Sequence, residues 1–144
     1  MAHFLSTQLP DLAAAGVLKA RADSNGKLGV VGFCYGGGMA HFLSTQLPDL
    51  AAAVPFYGNH PAVEEAAKVK APLLIHFAAV DERINAAWPA YEAALKAAGA
   101  RYTAHQYPGT QHGFNNDTTP RFDAAAAKLA WDRTMAFFGQ HLKA

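Results

Sequence analysis

The sequence contains a single cysteine, Cys34, among its 144 residues. One thiol cannot form a disulfide within the chain, so it is inert, reactive or bonded to another molecule, and we expect a reducing, cytoplasmic compartment. An excess of one sign of charge is also lacking, because 12 Lys and Arg are nearly balanced by 11 Asp and Glu, which gives a net charge of +1. Without a basic stripe or an acidic tail, the composition gives no indication of a nucleic-acid partner.

Long apolar runs are missing as well. None approaches the roughly 20 residues that a transmembrane helix needs, and the first segment lacks the basic start and small-residue cleavage site of a signal peptide. We therefore expect no membrane partner. No two histidines have a zinc-binding spacing such as His-Glu-x-x-His, so the sequence predicts neither a metal nor another cofactor.

What is present fits one α/β domain over residues 1–144, long enough to bury a hydrophobic core. The first 15 residues, MAHFLSTQLPDLAAA, return unchanged at 39–53. Solenoid repeats diverge and number three or more, so an exact pair indicates a recent local duplication or a cloning junction. We predict that the first copy forms an extra N-terminal helix that continues through residues 16–21.

Apolar segments alternate with helical ones along the rest of the chain. Strands are predicted over 28–33, 52–58, 72–78 and 101–107. Helices are predicted over 39–47 and 61–70, from a cap at Asn85 to Gly99, and from Thr119 and Pro120 onward, the last burying Trp131, Met135, Phe138 and Leu142. The alternation predicts a layered α/β sheet of about four mainly parallel strands flanked by helices.

The most distinctive stretch is Gly32-Phe33-Cys34-Tyr35-Gly36, between the first predicted strand and its helix. Gly-x-Cys-x-Gly in that setting is typical of a nucleophile elbow, a strained turn that exposes a nucleophile. We expect both glycines to be required because strand and helix crowd there, and the N–H of Tyr35 to be an oxyanion donor. On these residues alone, a buried structural thiol and a phosphate-binding turn are open alternatives.

Two polar residues follow later strands: Asp81 after the third and His112 after the fourth. Functional loops gather at the carboxyl ends of parallel strands, and nucleophile, acid, base is the chain order of an α/β-hydrolase triad. A free thiol is only a few per cent ionised near pH 7, so we interpret His112 as the base for Cys34 and Asp81 as the carboxylate that fixes its tautomer. Alternatively, Asp81 caps a helix. His76 and His105 lie inside strands and are expected to be core or sheet-face residues.

Four stretches closely resemble the dienelactone hydrolase family, the carboxymethylenebutenolidases of the α/β-hydrolase superfamily: 32–38, 54–58, 81–85 and 107–117. The resemblance extends from about Val17 to the C-terminus. It implies an α/β-hydrolase fold, a triad of Cys34, Asp81 and His112, and hydrolysis of an enol-lactone or related small ester through a thioester on the cysteine.

The resemblance also implies a further N-terminal half, which holds the first strands, a second oxyanion donor, an acidic residue that holds the resting thiol and a substrate-binding arginine. This chain instead has the duplicated segment at that point. One oxyanion donor is worth about 3 to 4 kcal/mol, so we expect weak activity from the chain alone. Arg83 and Arg121 lie in loops at the same sheet edge and are either candidates for binding a substrate carboxylate or solvated surface residues.

Without such a half, the strand at 28–33 would have a bare apolar edge that is prone to pair. Two chains joined antiparallel at these edges would form a homodimer with a sheet of roughly eight strands. The sequence thus supports a cysteine-dependent hydrolase of a small ester or lactone, impaired by what it lacks, or a non-catalytic module that oligomerises or binds. A redox-sensing thiol is a third interpretation, with no resolving cysteine to support it.

Overall fold

The computed structural model describes residues 12–143, and its centre is a four-stranded sheet. The strands are β1 Gly29–Phe33, β2 Ala52–Phe56, β3 Leu73–Val80 and β4 Tyr102–Gln111. They lie side by side in chain order, and every neighbouring pair is parallel. The predicted α/β sheet is confirmed, with β4 running four residues further than expected.

Helices cover the sheet. They are α1 over residues 12–19, α2 Tyr35–Gln46, a 3-10 helix Val63–Lys68, α3 Glu82–Asn85, α4 Trp88–Ala97 and α5 Ala124–His141. Residues 1–11 of the predicted N-terminal helix lie outside the described residues, and the part that is described is helical up to residue 19. Between residues 12 and 143, no helix combines the length and apolar character needed to cross a membrane.

The two central strands are buried on both faces. Every residue of β2 is buried, as are the first six of β3, which explains why these segments read as continuous apolar runs. One face packs against α4 through Tyr91 and Leu95, and the other contacts α5 around Ala130. Gly99, at φ 66°, ends α4 as expected.

His76 joins the sheet to α5 as a fully hydrogen-bonded core residue, as predicted. The Thr134 hydroxyl donates to the Ala130 carbonyl (2.8 Å) and therefore accepts from His76 Nε2–H, 3.1 Å away. His76 Nδ1 is left as the acceptor for the Tyr107 hydroxyl at 2.9 Å. Burial lowers the pKa of His76 to about 3, so the ring is neutral and stays in this tautomer.

After β3, two predicted helix starts are wrong. Asn85 does not cap a helix: it ends α3, and its side-chain amide donates to the carbonyls of Ala78 and Ala79 where β3 finishes. The last helix does not begin at Thr119 and Pro120, which lie in turns. It begins at Ala124 because the carboxylate of Asp123 accepts the N–H of Ala126 at 2.9 Å and so satisfies a first-turn donor.

The predicted core face of α5 is also wrong in part. Trp131 is 44% exposed and Met135 is 53% exposed, whereas Phe138 and Leu142 are half-buried. The buried residues are the small ones, Ala127, Ala130 and Thr134. Small side chains let the helix approach the sheet closely, so the face with less apolar area is the one that packs.

Candidate active site

Cys34 sits in a strained turn between β1 and α2. Its φ is 56°, in the left-handed region that residues with a Cβ rarely adopt, and its N–H donates to the Phe56 carbonyl on β2 at 3.0 Å. Its thiol is exposed. Helix α2 begins at Tyr35, four residues before the predicted position, so the cysteine stands directly at a helix N-terminus.

Glycine is required in this turn at positions that differ from those expected. A Cβ on Gly32 would lie 1.9 Å from the Gly36 carbonyl oxygen, so this glycine is essential, as predicted. A Cβ on Gly36 itself would meet nothing within 4 Å, so the expectation that Gly36 must lack a side chain is wrong. The second close approach joins Gly37 and Gly58, where a Cβ on either would lie under 2.5 Å from backbone atoms.

The three residues of the proposed triad meet at one edge of the sheet. His112 Nε2 lies 3.0 Å from Cys34 Sγ, and His112 Nδ1 lies 2.6 Å from Asp81 Oδ2. A carboxylate only accepts, so Nδ1 carries the proton and Nε2 presents its lone pair to the thiol. This geometry permits proton transfer from sulfur to nitrogen.

The sheet topology explains how these residues meet. Cys34 follows β1, Asp81 follows β3 and His112 follows β4, and parallel strands bring their carboxyl ends to a common edge. Asp81 is only 8% exposed and makes no capping hydrogen bond to α3, so the capping alternative is wrong. The carboxylate is committed to the imidazole instead.

A cavity of about 590 Å³ opens beside the thiol. Its lining includes Cys34, Tyr35 and Met39 from the elbow and α2, and Asn59, His60 and Arg83 from the segments that follow β2 and β3. Much of the remaining lining is apolar and includes Phe42, Pro61 and Ala62. The charged residues in the lining are Arg83 and Glu65, so the cavity combines apolar side chains with one cation and one carboxylate.

The two candidate arginines lie in different surroundings. Arg83 lines the cavity, and its guanidinium donates to Asn59 Oδ1 at 3.0 Å, which fixes the direction of the side chain. The Arg121 guanidinium instead lies beside Gly113, the residue after His112, and does not line the cavity. Both are exposed, and only Arg83 reaches the space in front of the thiol.

Sequence reasoning missed two residues near the thiol. Asn59 orients Arg83, and its position two residues after Tyr57 carries no signal that would identify it. Tyr57 lies in the stretch 54–58 that resembles the family, but the sequence assigns it no role. In the structure it is distinguished by a positive φ of 36°. Among residues 12–143, no group of three or more His, Cys, Asp or Glu side chains is arranged to hold a metal ion.

Comparison with known proteins identifies one family that the chain resembles. A family model described as the dienelactone hydrolase family matches residues 3–142. Two similar curated proteins are both named "Putative carboxymethylenebutenolidase": one from Azospirillum brasilense is 41% identical over 80 residues, and one from Saccharolobus solfataricus is 37% identical over 112 residues. These alignments cover 56% and 77% of this chain but only 35% and 43% of the relatives.

A solved structure gives the same result for the fold. The crystal structure described as "Putative Dienelactone Hydrolase" from Klebsiella pneumoniae matches with a TM-score of 0.83 and 30% identity, over 90% of this chain and 59% of that one. The chain therefore spans less than half the length of the two curated relatives and somewhat over half of this structure.

Proposed function

Because this chain belongs to the dienelactone hydrolase family, we propose that it is a cysteine-dependent hydrolase of small esters or lactones. The observation that carries the proposal is the hydrogen-bonded series from Asp81 through His112 to Cys34, with contacts of 2.6 and 3.0 Å. Each partner has the chemistry that the next one needs: a carboxylate that holds Nδ1–H, an imidazole that accepts a proton and a thiol that becomes a nucleophile.

In the first step, His112 Nε2 takes the proton of the thiol, and Cys34 Sγ forms a bond to the carbonyl carbon of the substrate. The carbonyl electron pair moves onto oxygen, and the N–H of Tyr35 in the first turn of α2 donates to that oxyanion. First-turn N–H groups have no partner within their own helix, so this donor is available. The helix dipole favours negative charge at the same point.

In the second step, the oxyanion collapses and the bond to the leaving oxygen breaks, with the proton on His112 passing to the alkoxide. A thioester of Cys34 remains. Water then gives a proton to His112 and its oxygen attacks the thioester, which releases the carboxylic acid and restores the thiol. Asp81 keeps its charge throughout and stabilises the imidazolium formed in each half of the cycle. We expect slow turnover from this chain alone if Tyr35 is its one oxyanion donor.

The acyl-enzyme is the direct test of this proposal. We expect para-nitrophenyl acetate to add one acetyl group per chain, found by intact mass and located on the peptide that contains Cys34. The variant Cys34→Ala should acquire no adduct under the same conditions. Acetylation of surface lysines at an equal rate in both proteins, with Cys34 unmodified, would contradict the proposal.

For the substrate, we propose an ester or lactone with a carboxylate that pairs with Arg83. The cavity beside the thiol is large enough for such a molecule, and Asn59 holds the guanidinium in a fixed direction at its edge. Arg121, beside Gly113, is the second candidate for this contact. A hydrogen bond to a charged group is worth about 1.5 to 3 kcal/mol.

Arg83→Gln is therefore expected to slow the acylation by an anionic ester about ten-fold and to leave the acylation by a neutral ester nearly unchanged. Mono-para-nitrophenyl adipate and para-nitrophenyl hexanoate form a suitable pair of probes, and release of para-nitrophenolate measures both rates. Arg101→Gln is the matched control, because this arginine is exposed at the opposite end of β4. An equal loss of acylation rate with both esters would show that Arg83 does not distinguish an anionic substrate from a neutral one.

A second candidate function, a module that oligomerises, is favoured by the exposed edge of β1. This strand is at the end of the sheet, and Val31 and Phe33 remain 36% and 37% exposed. The Leu28 carbonyl and the Cys34 N–H both bond toward β2, so by alternation the backbone groups of Gly29, Val31 and Phe33 point away from it. We propose that two copies pair antiparallel through these groups.

This pairing predicts a homodimer at micromolar concentration in sedimentation equilibrium. Val31→Pro should convert it to a monomer, because proline removes one outward N–H without affecting the ladder to β2. Val31→Thr keeps the N–H and the preference for a strand, so it should leave the dimer intact. A monomeric wild-type chain, or a dimer that withstands the proline, would contradict pairing through β1.

A further inference from the structure

Tyr57 is one of two non-glycine residues with a positive φ in residues 12–143, and the other is Cys34. A residue with a Cβ in this region carries a strain of about 1 to 2 kcal/mol, and such strain persists where the surroundings fix the backbone. For Cys34 the nucleophile elbow accounts for it. Tyr57 directly follows β2, and its strain points to a second constraint.

The backbone around Tyr57 is held on both sides. Its N–H donates to the His76 carbonyl on β3 at 2.8 Å, and the preceding carbonyl, of Phe56, accepts the N–H of Cys34 at 3.0 Å. The next residue, Gly58, packs so closely on Gly37 that a Cβ would lie 2.2 Å from the Gly37 carbonyl carbon. These contacts fix the backbone conformation at the end of β2, and the backbone in turn fixes the direction of the Tyr57 side chain.

This direction brings the tyrosine to the segment that holds His112. Tyr57 is 3% exposed, and its ring meets the His112 ring edge to face, with centroids 5.0 Å apart. Its hydroxyl faces the backbone N–H of Asn115, three residues after the histidine, and this N–H partly opposes the effect of burial on the pKa of Tyr57. Burial raises the pKa of Tyr57 to about 12, so the hydroxyl stays neutral.

We propose that Tyr57 is a positioning residue that holds the His112 ring in the plane where Nε2 faces the Cys34 thiol. Asp81 fixes the Nδ1 end of the imidazole, but one hydrogen bond leaves the ring free to swing about that contact. The Tyr57 ring restricts this rotation from the side, and its hydroxyl faces the backbone of Asn115 in the same turn. The proposal rests on the proposed function, because it assumes that His112 serves Cys34.

The test measures alkylation of Cys34 by iodoacetamide between about pH 5 and pH 9. In the wild type we expect rapid alkylation at about pH 6 that depends on His112. Tyr57→Leu removes both ring and hydroxyl and should slow it by about ten-fold or more, toward the rate of His112→Ala, since a misplacement of about 1 Å costs up to about 100-fold. Tyr57→Phe keeps the ring and should slow it about three-fold. Tyr102→Phe, whose hydroxyl bonds Glu92 far from the thiol, is the control and should behave as wild type.

The outcomes separate the two proposals. If His112→Ala reacts like the wild type across the pH range, both the proposed function and the role of Tyr57 are refuted. If His112 matters and folded Tyr57→Leu keeps the wild-type profile, only the role of Tyr57 is refuted. Should Tyr57→Leu fail to fold by circular dichroism, Tyr57→Met replaces it, because this variant also lacks the ring: a slower reaction at pH 6 supports positioning, and an unchanged one overturns it.

Discussion

Replacing His112 by alanine is expected to slow acylation of Cys34 by para-nitrophenyl acetate at least 100-fold at neutral pH. The imidazole nitrogen lies 3.0 Å from the thiol and is the group that removes its proton, and general-base catalysis contributes about 100- to 10,000-fold. Without it, attack depends on the few per cent of thiolate that a free cysteine forms by itself. Stopped-flow release of para-nitrophenolate, combined with the mass of the adduct, measures this loss.

Two further variants show whether the whole series acts as a unit. Asp81→Asn should also lose at least ten-fold, since an amide can hold Nδ1 in the wrong tautomer and cannot stabilise an imidazolium. His141→Ala, on a histidine at the end of α5, is the matched control and should be unchanged. If His112→Ala acylates as fast as His141→Ala, the contact between His112 and Cys34 has no chemical role, and the non-catalytic module becomes the better interpretation.

The candidate site could be predicted from sequence because residues that follow parallel strands of one sheet lie close together in the fold. Once strands are recognised before Cys34, Asp81 and His112, their loops must gather at one sheet edge, whatever the details of the helices between them. The exact end of β4 did not matter: the strand runs to Gln111 rather than to residue 107, and His112 still follows it. The cavity and the partner of Arg83 could not be predicted, because they depend on how loops distant in sequence approach each other.

The duplicated segment shows why the fold could be predicted only in part from local sequence. Residues 12–15 and 50–53 are both Leu-Ala-Ala-Ala, yet the first four are helical while the last two of the second set begin β2. In the second copy, Ala51 N–H donates to the Leu28 carbonyl and Ala53 N–H to the Pro72 carbonyl. Pairing with two neighbouring strands overrides the helical preference of alanine, and no window of four residues contains that information.

The errors on the last helix have a related cause. Helical spacing identified one apolar stripe, Trp131, Met135, Phe138 and Leu142, but a helix with small residues at similar spacing has two candidate faces. The face with Ala127, Ala130 and Thr134 packs against the sheet, because the Thr134 hydroxyl can accept a hydrogen bond from His76 only at short range. The choice was made by a buried hydrogen bond between residues 58 positions apart, which periodicity cannot detect.

Gly32→Ala is expected to be the most destabilising single methyl group that can be added to the elbow. The new Cβ would lie 1.9 Å from the Gly36 carbonyl oxygen and 2.3 Å from its carbon, so β1 and the first turn of α2 would have to separate. Overpacking against flexible side chains costs about 1 to 3 kcal/mol, and backbone yields less readily, so we expect a loss of about 3 kcal/mol or more in the free energy of unfolding. Urea denaturation followed by circular dichroism measures it.

Gly36→Ala provides the matched control within the same motif. Its Cβ would meet nothing within 4 Å, and alanine is the better helix former, so the free energy of unfolding should change by no more than about 1 kcal/mol. The two variants together show whether both glycines of the motif are needed or only the one at position 32, where a side chain has no space. Equal destabilisation by both would contradict the close contact at Gly32. A stable Gly36→Ala that still alkylates like the wild type would show that the second glycine is not needed to form the elbow.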